Sequence, residues 1–193
     1  MARRSASEGV HRRAALAELK QGLFEPQALD VLREVQLMAE DLVGEHFRLS
    51  SFGPVRRCYE VVTLAGAAPE GRDPRRLAKL CRYDRSERPI DHGQRVSRFY
   101  RVFVQDDQLL RRVSEGLDLR SLLLYVLTHE LIHIVRFESF QVHYGATGPE
   151  RDREELRVHE LTEDVLRVLR DELVDEVIQG LAPGGVDVIE AQQ

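Results

Sequence analysis

Apolar residues recur at helical spacing in some stretches of this chain and in short β-branched or aromatic runs in others, and that contrast predicts its elements. Residues 11–22, rich in Ala and Leu, predict a helix that ends near Gly22. Pro26 suits the first turn of a second helix, in which Leu29, Leu32, Val35, Met38, Ala39, Leu42 and Val43 follow the i, i+3, i+4 rule as far as Gly44. From Phe47 to Val104 the apolar segments shorten and Gly53-Pro54, Gly66, Pro69 and Gly71 punctuate them. The best strands there are Tyr59–Leu64 and Phe99–Val104. The stretch from Arg72 to Arg88 holds seven basic and three acidic residues among turn formers and reads as a solvated loop.

A short helical turn is expected after Asp106-Asp107, and Asp118 is a plausible N-cap for a helix over residues 118–137. Leucines and valines occur all round that helix, which places it at the centre of the core. A loop from Gln141 to Pro149 follows, then a helix from Glu150 to Gln179, stopped by Gly180 and Pro183. Together these elements predict an α+β fold: N-terminal helices, a small twisted sheet, a central helix and a last helix packed against it. Residues 1–22 would be an extension, 23–180 the domain and 181–193 a loosely held tail.

Composition narrows the function classes. A chain of 193 residues can bury one sizeable core, and its 42 % hydrophobic and 32 % charged residues are those of a globular protein. The net charge of −5 argues against a dominant nucleic-acid role, although the Arg-rich stretch 72–88 could make a local contact, as in a nucleic-acid-linked protease. Cys58 and Cys81 are too few for a disulfide scaffold and lack CxxC spacing, so a reducing compartment is expected. The basic N-terminus has no apolar run behind it and is not read as a secretory signal. The most apolar segment, Leu117–Phe137, carries too many ionisable groups to span a membrane, so a cytoplasmic protein is expected.

Those ionisable groups include the most informative residues. His129-Glu130-Leu131-Ile132-His133 puts two imidazoles four residues apart, about 40° apart around a helix axis, so both can converge on one metal ion. Two histidines and a glutamate are costly to bury in an apolar run without a partner. A catalytic zinc needs a third protein ligand and one open position. On a wheel of the last helix, Glu155 and His159 share the core-facing sector with Val158, Thr162, Val165, Leu166, Leu169 and Leu173, opposite Arg153, Arg157, Glu160, Asp164 and Arg167. A carboxylate in a core stripe needs a cation. Glu155 is thus the first candidate ligand, ahead of His159 and of His143 in the loop. The plainer alternative is an ion pair between Glu155 and an arginine such as Arg136. A two-iron bundle would also use the Glu130-x-x-His133 spacing, but Glu155 and His159 are four apart and cannot supply the second half.

The motif and its flanks, with the segment Glu155-Leu156-Arg157-Val158-His159-Glu160-Leu161-Thr162, resemble a zincin metallopeptidase of the gluzincin type, and more weakly the small intracellular ImmA/IrrE group. His159 stands where those proteins often carry Asn. The resemblance implies one zinc ion held by His129, His133 and Glu155, and an extended peptide substrate along an edge strand just upstream of the motif helix. Phe99–Val104 occupies that place. Glu130 lies about 100° from His129 around the helix and is expected to act as general base beside the water rather than as a ligand. His159, His143 and Tyr144 are candidates for stabilising the oxyanion. The expected activity is zinc-dependent hydrolysis of peptide bonds; the alternative is a catalytically silent zincin-fold protein that binds metal as a regulator or interaction partner.

Overall fold

The computed structural model describes residues 23–49, 55, 58–67, 69–85 and 97–181; the helix expected at 11–22, the extension 1–22 and the tail beyond Leu181 lie outside them. The described elements are α1 (Pro26–His46), β1 (Tyr59–Val62), a 3-10 turn (Pro69–Gly71), β2 (Ala78–Arg85), β3 (Ser97–Val104), α2 (Asp106–Ser114), α3 (Leu119–Glu138), α4 (Pro149–Leu166), a 3-10 turn (Arg167–Leu169) and α5 (Glu172–Gly180). Among the described residues this is a mixed α+β arrangement of five helices and one three-stranded sheet. None of these helices is long and apolar enough to cross a membrane.

Helix α1 starts at its proline and buries Leu32, Val35, Ala39 and Val43 along one face. It runs through Gly44 to His46, past the expected stop, and the Phe47 N–H closes it on Val43 O at 3.0 Å. Helix α3 begins where Asp118 accepts a hydrogen bond from Ser121 N at 2.8 Å. Every residue from Ser121 to Val135 is buried, so the leucines all round it each meet a neighbour. That burial is what makes the polar groups on this helix significant.

The sheet has the order β1-β3-β2, with β1 parallel to β3 and β2 antiparallel to it. Alternation sets its faces: Tyr100, Val102 and Val104 are buried on one, and on the other Phe99 and Arg101 are half-buried while Phe103 is covered. Two expectations are corrected here. The strand 99–104, expected as an edge open to peptide, is the middle strand and is paired on both sides. The Arg-rich stretch 72–88, expected as a loop, contains strand β2, which is an edge strand among the described residues. Its Leu80 is fully buried, and the cations at its start have local partners: Arg76 Nε lies 3.0 Å from Asp73 Oδ2, and Lys79 Nζ donates to Glu70 O at 2.7 Å.

The last helix is also corrected. It is broken after Leu169, where Arg170 takes a left-handed conformation at φ 51°. The Asp171 side chain then accepts from Leu173 N at 2.9 Å and caps a new helix. Helix α5 turns back to bury Val174, Val177 and Ile178 against the core, leaving Leu173, placed on the inward stripe by the wheel, 47 % exposed. The break lies beyond Glu155 and His159, so their shared face survives.

Gly71 shows how tightly the sheet is covered. A Cβ there would stand 2.4 Å from the ring of Phe103, a side chain only 1 % exposed. Gly71→Ala must displace that ring, so it is expected to cost about 1–3 kcal/mol and to lower Tm in a thermal melt by roughly 3–10 °C.

Candidate metal centre

Helices α3 and α4 bring three donor groups together. His129 Nε2 and His133 Nε2 are 3.2 Å apart, and Glu155 Oε2 lies 3.5 Å from the first and 3.4 Å from the second. The ligand atoms of these three residues all fall within 4.8 Å of one another, and among the described residues no other group of three His, Cys, Asp or Glu does so. His159 and His143 are outside the group, as are the unpaired Cys58 and Cys81.

The triangle has the size a small cation requires. Donors 2.0–2.1 Å from a tetrahedral ion stand about 3.3 Å apart, and the three sides here are 3.2, 3.4 and 3.5 Å. Two imidazole nitrogens facing each other in a buried site would repel if both offered lone pairs; a cation between them, or a proton on one, removes the conflict. Around the triangle, Thr162 Oγ1 donates to Val158 O at 2.7 Å and faces His129 Nδ1 at 3.5 Å, so a proton on Nδ1 has an acceptor and the Nε2 lone pair can face the triangle. His133 Nδ1 has no hydrogen-bond partner among the described residues.

The electrostatics follow from burial. Burial would push the Glu155 carboxyl up, but hydrogen bonds from His129 and His133 and their charge outweigh it, holding the group well below the usual carboxylate range. Glu130 behaves in the opposite way. Burial, with Glu155 adding to it, pushes its carboxyl up to about 7 against the pull of His129 and Arg76. Its Oε2 is buried without a hydrogen-bond partner among the described residues.

Arg136, the alternative partner of Glu155, is engaged elsewhere: its Nε and Nη2 clasp the Glu154 carboxylate at 2.6 and 2.8 Å. This pins the start of α4 to the end of α3 and leaves the next residue, Glu155, to the histidines. His159 sits one turn further along α4. Its Nδ1 meets the hydroxyl of Tyr125, and its Nε2 lies 3.1 Å from Glu163 Oε1. Tyr125 in turn stacks on His129, with centroids 6.2 Å apart. Burial lowers the pKa of His159, and Glu163 opposes the shift.

Tyr144 and His143 come from the loop between α3 and α4. Tyr144 borders a pocket beside the donor triangle, together with His133, Phe137, Val142, Ala146 and Glu155. Its hydroxyl, however, is hydrogen-bonded to the main chain of β2: it accepts from Arg82 N at 3.0 Å and donates to Leu80 O at 3.3 Å. His143 is exposed, and its Nδ1 accepts from Gly145 N at 3.1 Å.

Sequence reasoning missed Tyr125, Thr162 in its supporting role, Glu154 and Arg76. Two of them had a signal, since Tyr125 stands one turn before His129 and Thr162 lies on the same wheel sector as Glu155. Comparison with known proteins finds no family model, no curated protein and no solved structure that matches this chain.

Proposed function

We propose that this chain is a zincin-type, zinc-dependent peptidase. The observation that carries the proposal is the buried triangle of two imidazole nitrogens and one carboxylate oxygen, with Glu130, whose Oε2 is buried without a hydrogen-bond partner among the described residues, adjacent in sequence to one corner. Two nitrogens and one oxygen from the protein form a catalytic zinc set that leaves a position open. An ion held there supplies Lewis acidity, polarising an amide carbonyl and acidifying water.

The remaining steps belong to the chain itself. His129 and His133 would offer their Nε2 lone pairs, and Thr162 Oγ1 stands where it can accept from Nδ1 of the first. Glu155 brings the negative charge that favours a cation and, through its helix, the geometry. Glu130 takes a proton from the attacking water at a carboxylate oxygen and returns it to the leaving amine nitrogen. A carboxyl lifted to about 7 by burial suits that exchange near neutral pH. The Arg136–Glu154 clasp and the Tyr125–His159 contact hold α3 and α4 in the register that keeps the three donors together.

Elemental analysis of the purified protein tests the reading. Near-stoichiometric zinc is expected, and His133→Ala is expected to lose it. A wild-type chain free of metal after purification and zinc loading would overturn the proposal. A chain that keeps zinc yet cleaves no peptide would instead be the metal-binding regulator.

A further inference from the structure

Among the described residues strand β2 is an edge strand, and its outward main-chain groups at Leu80 and Arg82 meet the loop that borders the donor triangle. In the antiparallel pair β2–β3 the residues alternate between those bonded to β3 and those facing away. The Gln105 N–H donates to Leu77 O at 2.9 Å just beyond the strand's start, so Lys79, Cys81 and Tyr83 take the bonded positions and Ala78, Leu80 and Arg82 face out. Of these outward groups, Leu80 O and Arg82 N are both bonded to one atom, the hydroxyl of Tyr144.

That pair of groups is what an added strand would need. A parallel segment engages the C=O of one residue and the N–H of the residue two further on from a single residue of its own; an antiparallel segment engages the same two groups from two of its residues. One phenolic oxygen, acting as acceptor and donor, stands in for that incoming main chain. The Tyr144 ring is held by Phe137, 5.2 Å away between centroids, and by the Arg82 guanidinium, 4.6 Å from its centre. The loop that carries it leaves α3 and enters α4 through Phe140 and Gly148, at φ 54° and 56°. Both points have positive φ, and a side-chain rotation of Tyr144 would break both of its hydrogen bonds to the edge.

We infer that the outward edge of β2 docks an extended peptide segment beside the donor triangle, and that the Tyr144 hydroxyl is a latch occupying the main-chain position this segment must take. The inference rests on the peptidase reading for the identity of the occupant, because Tyr144 borders the same pocket as His133 and Glu155. It changes the part played by Tyr144: the hydroxyl competes with substrate rather than stabilising an oxyanion.

The test uses the full chain carrying Glu130→Gln, so that bound peptide stays intact, both zinc-loaded and metal-stripped. The probe is a pool of randomised, fluorescein-labelled octapeptides, with a second pool methylated on every peptide nitrogen. Adding Tyr144→Phe keeps the ring and removes the latch, so the first pool should bind about tenfold more tightly, the gain expected if the latch is closed about nine-tenths of the time. The methylated pool should gain nothing. Amide exchange at Arg82 should quicken in Tyr144→Phe and slow again when the first pool is added. Unchanged or weaker binding of the first pool by Tyr144→Phe, or an equal gain for the methylated pool, overturns the inference. A chain that holds zinc and cleaves peptides but shows no gain loses the latch and keeps the peptidase reading. A gain in a chain that binds no zinc keeps the latch and loses the peptidase.

Discussion

Glu130→Gln is expected to lower peptide hydrolysis by about 10²- to 10⁴-fold, the usual worth of a positioned general base, while zinc content stays at the wild-type level. The substitution preserves shape and removes only the proton-accepting oxygen, and Glu130 is not one of the three clustered donors. The same variant has a second readout that needs no substrate. Burial raises the Glu130 carboxyl from an ordinary value of 4.5 to about 7, so the folded state binds more protons than the unfolded one between those two values. Stability carried by the protonated form is complete below the lower value and is lost as pH rises through the upper one. In metal-stripped protein the penalty at pH 8 amounts to roughly 3 kcal/mol. Gln cannot ionise. Melts of wild type and Glu130→Gln should therefore diverge in favour of the variant as pH rises from 5 to 8, and parallel curves would show that Glu130 is not desolvated.

What the sequence disclosed and what it concealed divide along a physical line. The α3 helix was legible because two independent patterns coincide on it, an apolar run in every direction and a polar pair at one-turn spacing. Glu155 was legible because a carboxylate on an apolar stripe demands a cation. Strand β2 was hidden by its charge: Arg82 follows Ala78 and Leu80 on one parity and Lys79 falls on the other, so basic residues on both parities mask a period of two. The break at Arg170 was hidden because charged residues suit an exposed helix as well as a capped junction, and only docking of α5 on the core favours the second. That Phe99–Val104 is a middle strand is a fact of pairing, which local sequence does not encode. The contacts of Tyr125 with His159 and of Arg136 with Glu154 depend on how two helices dock, a property of neither helix alone.

Glu155 decides whether these two helices make a site or merely a contact, so Glu155→Gln should have the largest effect on metal. A ligand that binds only the folded chain adds about 4 kcal/mol when present at a thousand times its Kd, which in a chain of this size raises Tm by on the order of 10 °C. Zinc added to stripped wild-type protein should produce that rise, and added to Glu155→Gln it should produce little, because a neutral amide oxygen gives a cation no net charge to pair with. Without metal the variant should also be weaker than wild type at neutral pH. The Glu155 carboxyl is held below its ordinary range by His129 and His133, so its contribution is present above that range and is lost as pH falls through the depressed value. The deficit of the metal-free variant should accordingly shrink on acidification, the reverse of the trend at Glu130. Two carboxylates twenty-five positions apart in the chain, 130 and 155, then give opposite pH signatures for one reason: the first is buried with little to hold its charge, and the second faces two imidazoles that do.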